Sequence, residues 1–183
     1  VAFGEFKTEL GTLQSDVNMK IDKQGVPSYT GNIKTFNFDV GTLINEKTLN
    51  RVTSTIYVNG RGIEVDNLYE SIKGDIQFID FNNYRYSNVK IDGVFEKKYF
   101  DGNLEIDDPN VQLVFKGGVN LKPELPVFNF NANIKNAKLK ALQLYKDSLM
   151  VSADFSANFS GNNLNNIVGD FLISQIELNN PDG

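Results

Sequence analysis

The segment YFDGNLEIDDPNVQLVFKGGVNL, residues 99–121, limits the possible folds more than any other part of the chain. Its apolar residues fall at every second position on both sides of an Asp-Asp-Pro-Asn stretch. Such alternation is typical of strands that bury one face, and proline at the second position of a turn favours type I. The segment therefore predicts an antiparallel pair of strands whose apolar side chains share one face.

The same alternation recurs along most of the chain. It predicts roughly ten strands of about 5–7 residues. Polar or glycine-containing turns separate them, for example at Asn59–Gly60, Asn82–Asn83 and Lys97–Lys98. The alternating segments begin near Val17, Tyr29, Val52, Ile72, Val89, Phe100, Val111, Phe128, Phe155 and Phe171.

Helical periodicity is confined to three short segments, which follow Asp39, Asn136 and Asn163. Each would make two or three turns at most, which is too short for a helix to be stable alone. We therefore predict an all-β chain with two or three short helices that dock on an end or an edge of the sheet.

These helices are too small to cover the apolar rows of so many strands. Four arrangements remain: a sandwich, a closed soluble barrel, an outer-membrane barrel that faces lipid, and a curled trough. Strands of this length and the absence of Trp argue against the outer-membrane barrel. An exposed apolar surface larger than a few hundred Å² usually marks a binding surface.

The composition excludes several kinds of chemistry. The 183 residues include 18 Lys and Arg against 23 Asp and Glu, a net charge of −5, which is the wrong sign for nucleic acid. Without Cys there are no disulfides, thiol nucleophiles or zinc–thiolate sites, and without His the commonest acid–base group is missing. No arrangement of Asp and Glu indicates a glycosidase cleft, so we expect no enzyme activity.

Two motifs resemble ligand-binding loops but have simpler interpretations. Asp107–Asn110, with Asp101 nearby, could suggest calcium, but the spacing matches no EF-hand and the stretch is better explained as a turn. Gly60–Gly62 and Gly117–Gly118 lack the Lys and Ser/Thr of a phosphate loop, and we interpret them as bends in strands. We expect neither a metal nor a cofactor.

A faint internal repeat links residues 29–78 to residues 130–173. GNIK at Gly31 matches ANIK at Ala132, 101 positions later, and the segments that end at Gly60 and Gly161 match at the same spacing. Repeated units that bury a face only against their neighbours are typical of solenoid arrays. We therefore interpret residues 1–183 as a single section of a longer repetitive protein.

The serial pattern GVFEKKYFDGNLEIDDPNVQLVFKGGVNL, with YRYSNVKIDG before it and LPVFNFNANIKNAKLKALQL after it, resembles the periplasmic repeats of the TamB family. TamB belongs to the AsmA-like group, and the likeness is strongest to Bacteroidetes-type members. It extends from about residue 29 to residue 178. The resemblance implies a U-shaped antiparallel sheet, the β-taco, whose apolar groove is open along one side.

The resemblance also implies a role. Such proteins are anchored in the inner membrane by an N-terminal segment, which we expect to lie outside this chain, and they span the periplasm toward a BamA-family outer-membrane barrel. They are implicated in moving phospholipid outward and in biogenesis of outer-membrane proteins. This chain would be a middle section that contacts phospholipid acyl chains, and regions outside it would contact the barrel.

We expect the groove to be lined by one apolar set. Its members are Ile76, Phe78, Ile91, Phe95, Leu104, Ile106, Leu113, Phe115, Phe128, Phe130, Phe155 and Phe159. The alternative is a carbohydrate- or protein-binding β-sandwich module of a surface protein, for which Tyr84 and Tyr86 would be the exposed aromatics. The isolated chain could also form an edge-to-edge homodimer, since open sheets expose unpaired edges.

Overall fold

The computed structural model describes residues 2–62, 68–163 and 165–180, which form one antiparallel sheet of eleven strands. Each strand pairs with the strands that precede and follow it in sequence, so the sheet is a simple meander. The strands are β1 (Ala2–Thr8), β2 (Gly11–Ile21), β3 (Pro27–Asp39), β4 (Leu49–Arg61), β5 (Tyr69–Phe81), β6 (Tyr84–Glu96), β7 (Tyr99–Asp108), β8 (Val111–Asn120), β9 (Val127–Lys138), β10 (Met150–Ser160) and β11 (Val168–Asn179). The predicted all-β, antiparallel class is confirmed.

The sheet is curled but does not close on itself, because β1 and β11 lie at opposite ends of the strand order. The accessible surface is 11742 Å². A compact monomer of this mass exposes only about 8,800 Å². The excess is the surface of a sheet that no second layer of the described residues covers.

Of the three expected helices, the first is confirmed as α1 (Val40–Ile44). Asp39 caps it, since its carboxylate accepts hydrogen bonds of 2.9 Å from both the backbone N–H and the hydroxyl of Thr42. The second helix is wrong, because residues 139–144 form successive turns. The third is also wrong in its described part, since Val168 begins β11; Leu164 lies outside the described residues.

A line of bulges crosses the sheet near one end of its strands. In β3, Asn37 has a φ of 49° and donates its backbone N–H to the Thr53 hydroxyl at 2.8 Å. In β9, Asn136 has a φ of 53° and donates its N–H to the Ser152 hydroxyl at 3.1 Å. The strand register shifts by one residue at both places. The same bulge with the same hydrogen bond thus occurs in β3 and in β9.

Beyond the bulges, a small core closes this end of the apolar face. The turns of residues 139–149 lie across β6 to β9, and Gln143 anchors them by donating a side-chain hydrogen bond of 3.0 Å to the Asn83 carbonyl. Leu142 is only 2% exposed. The cluster consists of Val111, Ala137 and Leu142, with Tyr84, Tyr86, Ile106, Ile134 and Leu139 packed against it.

Candidate functional site

A single row of residues crosses most of the sheet at one level of the strands. Each member is the direct cross-strand partner of the next, from β3 to β11. This central row consists of Ile33, Ile56, Gly74, Ile91, Leu104, Phe115, Ala132, Phe155 and Ile173. It contains no charged or hydrogen-bonding side chain, so it forms a continuous apolar strip perpendicular to the strands.

Three more rows lie on the same face, because every second residue of a strand points to the same side. The lower row is Ile76, Val89, Ile106, Leu113, Ile134 and Ala153. The glycine row is Gly93, Gly102, Gly117, Phe130, Ala157 and Phe171. The aromatic row is Glu70, Phe95, Phe100, Val119, Phe128 and Phe159. We call the surface formed by the four rows the apolar face.

Aromatic rings connect these rows into one layer. Phe95 and Phe100 have ring centroids 4.8 Å apart, and Phe115 and Phe130 have centroids 5.1 Å apart. Glycine makes room for the rings, since a Cβ added at Gly93 would lie 2.7 Å from the Phe100 ring. All the ring pairs found in the described residues on this face join the same or neighbouring strands, so the rings spread along the face in a single layer.

The registers bring eleven of the twelve expected lining residues together on the apolar face. They are Ile76, Ile91, Phe95, Leu104, Ile106, Leu113, Phe115, Phe128, Phe130, Phe155 and Phe159. Most are half-buried by their neighbours on the same face. Their position is compatible with a lining, and whether the face holds a ligand stays a prediction.

Phe78 is the exception. In the pairing of β4 with β5, Ser54 faces Ile76 but Thr53 faces Phe78, so Gln77 is an extra residue. One inserted residue reverses which side the following side chains face. The Phe78 ring therefore lies under the guanidinium of Arg85, at 4.0 Å, away from the other eleven residues.

The opposite face of the sheet is polar. It carries surface ion pairs such as Lys73–Asp92 at 2.6 Å and Arg85–Asp80 at 2.6 Å. A depression of about 500 Å³ on this face is lined by Asp75, Lys90 and Glu105, whose charges alternate across neighbouring strands, and by amide and apolar residues that include Gln77, Asn88, Val89 and Val114. Such alternation is typical of a solvated strand face. The described residues contain no cluster of acidic side chains that could hold a metal ion.

Only two charged side chains of the described strands, Glu70 and Asp108, lie on the apolar face by register. Asp108 belongs to the closed end and is fully hydrogen-bonded. Its carboxylate accepts from the Tyr84 hydroxyl at 2.6 Å, from the Ser87 N–H and hydroxyl at 2.9 and 2.8 Å, and from the Asn110 N–H at 2.9 Å. Burial raises its pKa, but these hydrogen bonds outweigh burial, so the net pKa lies below its ordinary value.

Glu70 lies between Gly60 of β4 and Phe95 of β6 in the aromatic row. The Tyr29 ring of β3 reaches across Gly60, where an added Cβ would lie 2.8 Å from the ring, and its hydroxyl donates a hydrogen bond to the Glu70 carboxylate. Burial raises the pKa of Glu70, and burial together with the Glu70 charge raises the pKa of Tyr29 to about 12. This pair is not among the residues predicted from the sequence, although Glu70 occupies an alternating position that Ile72, Gly74 and Ile76 continue.

Tyr84 and Tyr86, the aromatics that a glycan-binding module would expose, are strand residues. Their rings contact each other edge to face with centroids 4.7 Å apart, and both pack against the buried cluster at the closed end. Neither presents a free ring from a loop, so no observation on these two residues favours that alternative.

No family model, curated protein or solved structure matches the chain. No helix among the described residues has the length and apolarity needed to cross a bilayer. A function is therefore inferred from the residues themselves and from the two unlike faces of the sheet.

Proposed function

We propose that this chain is a non-enzymatic, lipid-conducting section of a TamB-like translocation and assembly module in the periplasm. Its apolar face would hold phospholipid acyl chains on their way to the outer membrane, or assist the biogenesis of outer-membrane proteins. A segment outside this chain would anchor it in the inner membrane, and other regions would contact a BamA-family barrel.

One observation carries the proposal: the central row is apolar in all nine strands from β3 to β11. At about 4.8 Å between strands, these eight intervals span roughly 38 Å. Charges are concentrated on the other face, so an alkyl chain along the row would meet no desolvated ionic group in the described part of the central row. The residue pattern that resembles TamB repeats supports the same assignment.

The energetics suit transport along the strip better than fixed binding. Removing a CH₂ group from water is favourable by about 0.8 kcal/mol. Because successive positions along the central row offer similar aliphatic and aromatic surfaces, a chain that moves by one strand would lose and regain similar contacts. A row without hydrogen-bonding side chains would also discriminate little between acyl chains.

Mass spectrometry of the purified chain tests the proposal. Organic extraction of protein expressed in a Gram-negative host should release phospholipid in amounts comparable to the protein. The variant Phe115→Asp should carry much less, because an ionised carboxylate in the central row is costly to desolvate. Val114→Asp is the matched control, because Val114 precedes Phe115 on the polar side of β8 and is exposed. Equal lipid content in both variants, or none in the unaltered chain, would contradict the proposal.

A further inference from the structure

Glu70 is a charged residue on an otherwise apolar surface, and its neighbours indicate what it could bind. Apart from Asp108, which is saturated with hydrogen bonds, it is the one charged side chain that the described strands place there. Its hydrogen-bond partner is the neutral hydroxyl of Tyr29, and its cross-strand neighbours are Gly60 and Phe95. No Lys or Arg in the described strands lies on this face to balance the charge.

A partly desolvated carboxylate beside aromatic rings is complementary to an organic ammonium ion. The carboxylate supplies the opposite charge, and the faces of Tyr and Phe rings attract cations through their quadrupoles. Tyr29 and Phe95 lie on the two sides of Glu70 in the aromatic row, and Phe100 follows Phe95 at a centroid distance of 4.8 Å. The central row runs parallel to this site, two rows away, so an alkyl chain and an ammonium group could be held together.

We propose that Glu70, with Tyr29 and Phe95, binds the ammonium group of a zwitterionic phospholipid whose acyl chain lies along the central row. This inference rests on the proposed function and adds a head-group preference to it. An anionic lipid without an ammonium group would bring its negative charge close to the carboxylate, and it would bind less tightly.

Binding of two lyso-lipids with the same lauroyl chain tests the inference. Lauroyl lysophosphatidylethanolamine carries an ammonium group, and lauroyl lysophosphatidylglycerol does not. Isothermal titration calorimetry below the critical micelle concentration should show about a tenfold preference of the unaltered chain for the first, the size expected of one partly buried charge interaction. In Glu70→Gln the preference should disappear, with affinity for the glycerol lipid unchanged or increased.

Two further variants separate the site from general effects. Glu105→Gln removes the same charge from the polar face of β7, and it should keep the full preference. Tyr29→Phe keeps the ring and removes the hydroxyl that competes for the carboxylate, so the preference should persist or increase. Far-UV circular dichroism verifies that each variant folds.

The outcomes distinguish this inference from the proposed function. If the unaltered chain binds both lipids equally, or if Glu70→Gln keeps the preference, the head-group site is wrong while acyl-chain binding stands. If the chain binds neither lipid, the proposed function fails together with the inference. Loss of the preference in Glu70→Gln, with the preference kept in Glu105→Gln, supports the head-group site.

Discussion

The hydroxyl of Tyr84 on β6 donates a 2.6 Å hydrogen bond to the carboxylate of Asp108 at the end of β7, and Asp108 is only 5% exposed. Removing a partner of a buried charge leaves it partly unsatisfied. Tyr84→Phe should therefore lower the free energy of unfolding by about 1.5–3 kcal/mol in urea denaturation. Tyr57→Phe removes an exposed hydroxyl that lies 2.8 Å from Thr30, and it should change stability by less than about 0.5 kcal/mol. Equal effects of the two variants would show that the Asp108 network contributes little.

The Asp108 carboxylate should also make the free energy of unfolding depend on pH. Because the pKa of Asp108 is lower in the folded chain than in the unfolded chain, its contribution is complete above the unfolded pKa, near 4, and is lost as pH falls through the folded pKa. Urea denaturation of the unaltered chain and of Asp108→Asn should show a clear difference at pH 7. The difference should shrink below about pH 4. A difference that stays constant down to pH 3 would contradict a lowered pKa of Asp108 in the folded chain, because other carboxylates contribute equally to both variants.

Sequence alternation predicted the strands and the shared face of eleven lining residues, because a period of two is a direct consequence of strand geometry. It failed at Phe78, because the extra residue Gln77 interrupts the alternation that would place Phe78 on the same face as Ile76. No glycine or proline marks that bulge. The bulges at Asn37 and Asn136 do have a weak sequence signal, because Asn tolerates the positive φ found there better than most residues.

Other features depend on contacts that are distant in sequence. Gln143 reaches the Asn83 carbonyl across sixty positions, and the turns that cover the closed end are held by such contacts rather than by helical periodicity. The Tyr29–Glu70 pair likewise requires β3, β4 and β5 to be in register. The sequence therefore predicts the elements and their faces, whereas the polar groups on the apolar face follow only from the assembled sheet.

Gly117 should be among the positions least tolerant of substitution. Its φ is 136°, and a Cβ added there would overlap the Asn129 carbonyl oxygen and lie 2.6 Å from the Phe130 Cα. Gly117→Ala should therefore destabilise the chain by more than about 1 kcal/mol, through strain and displacement of β9. In Gly4→Ala the new Cβ would be 3.5 Å from the Phe6 ring, and thermal unfolding should be almost unchanged. A Gly117→Ala variant as stable as Gly4→Ala would contradict the close approach of β8 and β9.

The β11 edge should mediate self-association of the isolated chain. β11 pairs with β10 on one side only, and Leu172, Ile173 and Ile176 are exposed. Long apolar edges pair with other strands, and lysine on an edge discourages such pairing. Sedimentation equilibrium should show a concentration-dependent dimer that the double variant Leu172→Lys, Ile176→Lys weakens at least tenfold.

Val114→Lys is the control for that experiment, since it adds a lysine at an exposed position of β8, which has neighbours on both sides. It should leave the dimer intact. A monomeric unaltered chain at all concentrations, or equal weakening by the control, would argue against edge pairing through β11.

Photocrosslinking at two adjacent residues tests whether the apolar face holds acyl chains. Phe115 lies in the central row, and Val114 lies on the polar side of the same strand. Each position is replaced in turn by p-benzoylphenylalanine, the chain is irradiated in cells, and adducts are identified by mass spectrometry. Phospholipid adducts should form at position 115, and few or none should form at position 114. Equal yields at both positions, or no lipid adduct at 115, would contradict an apolar face that holds acyl chains.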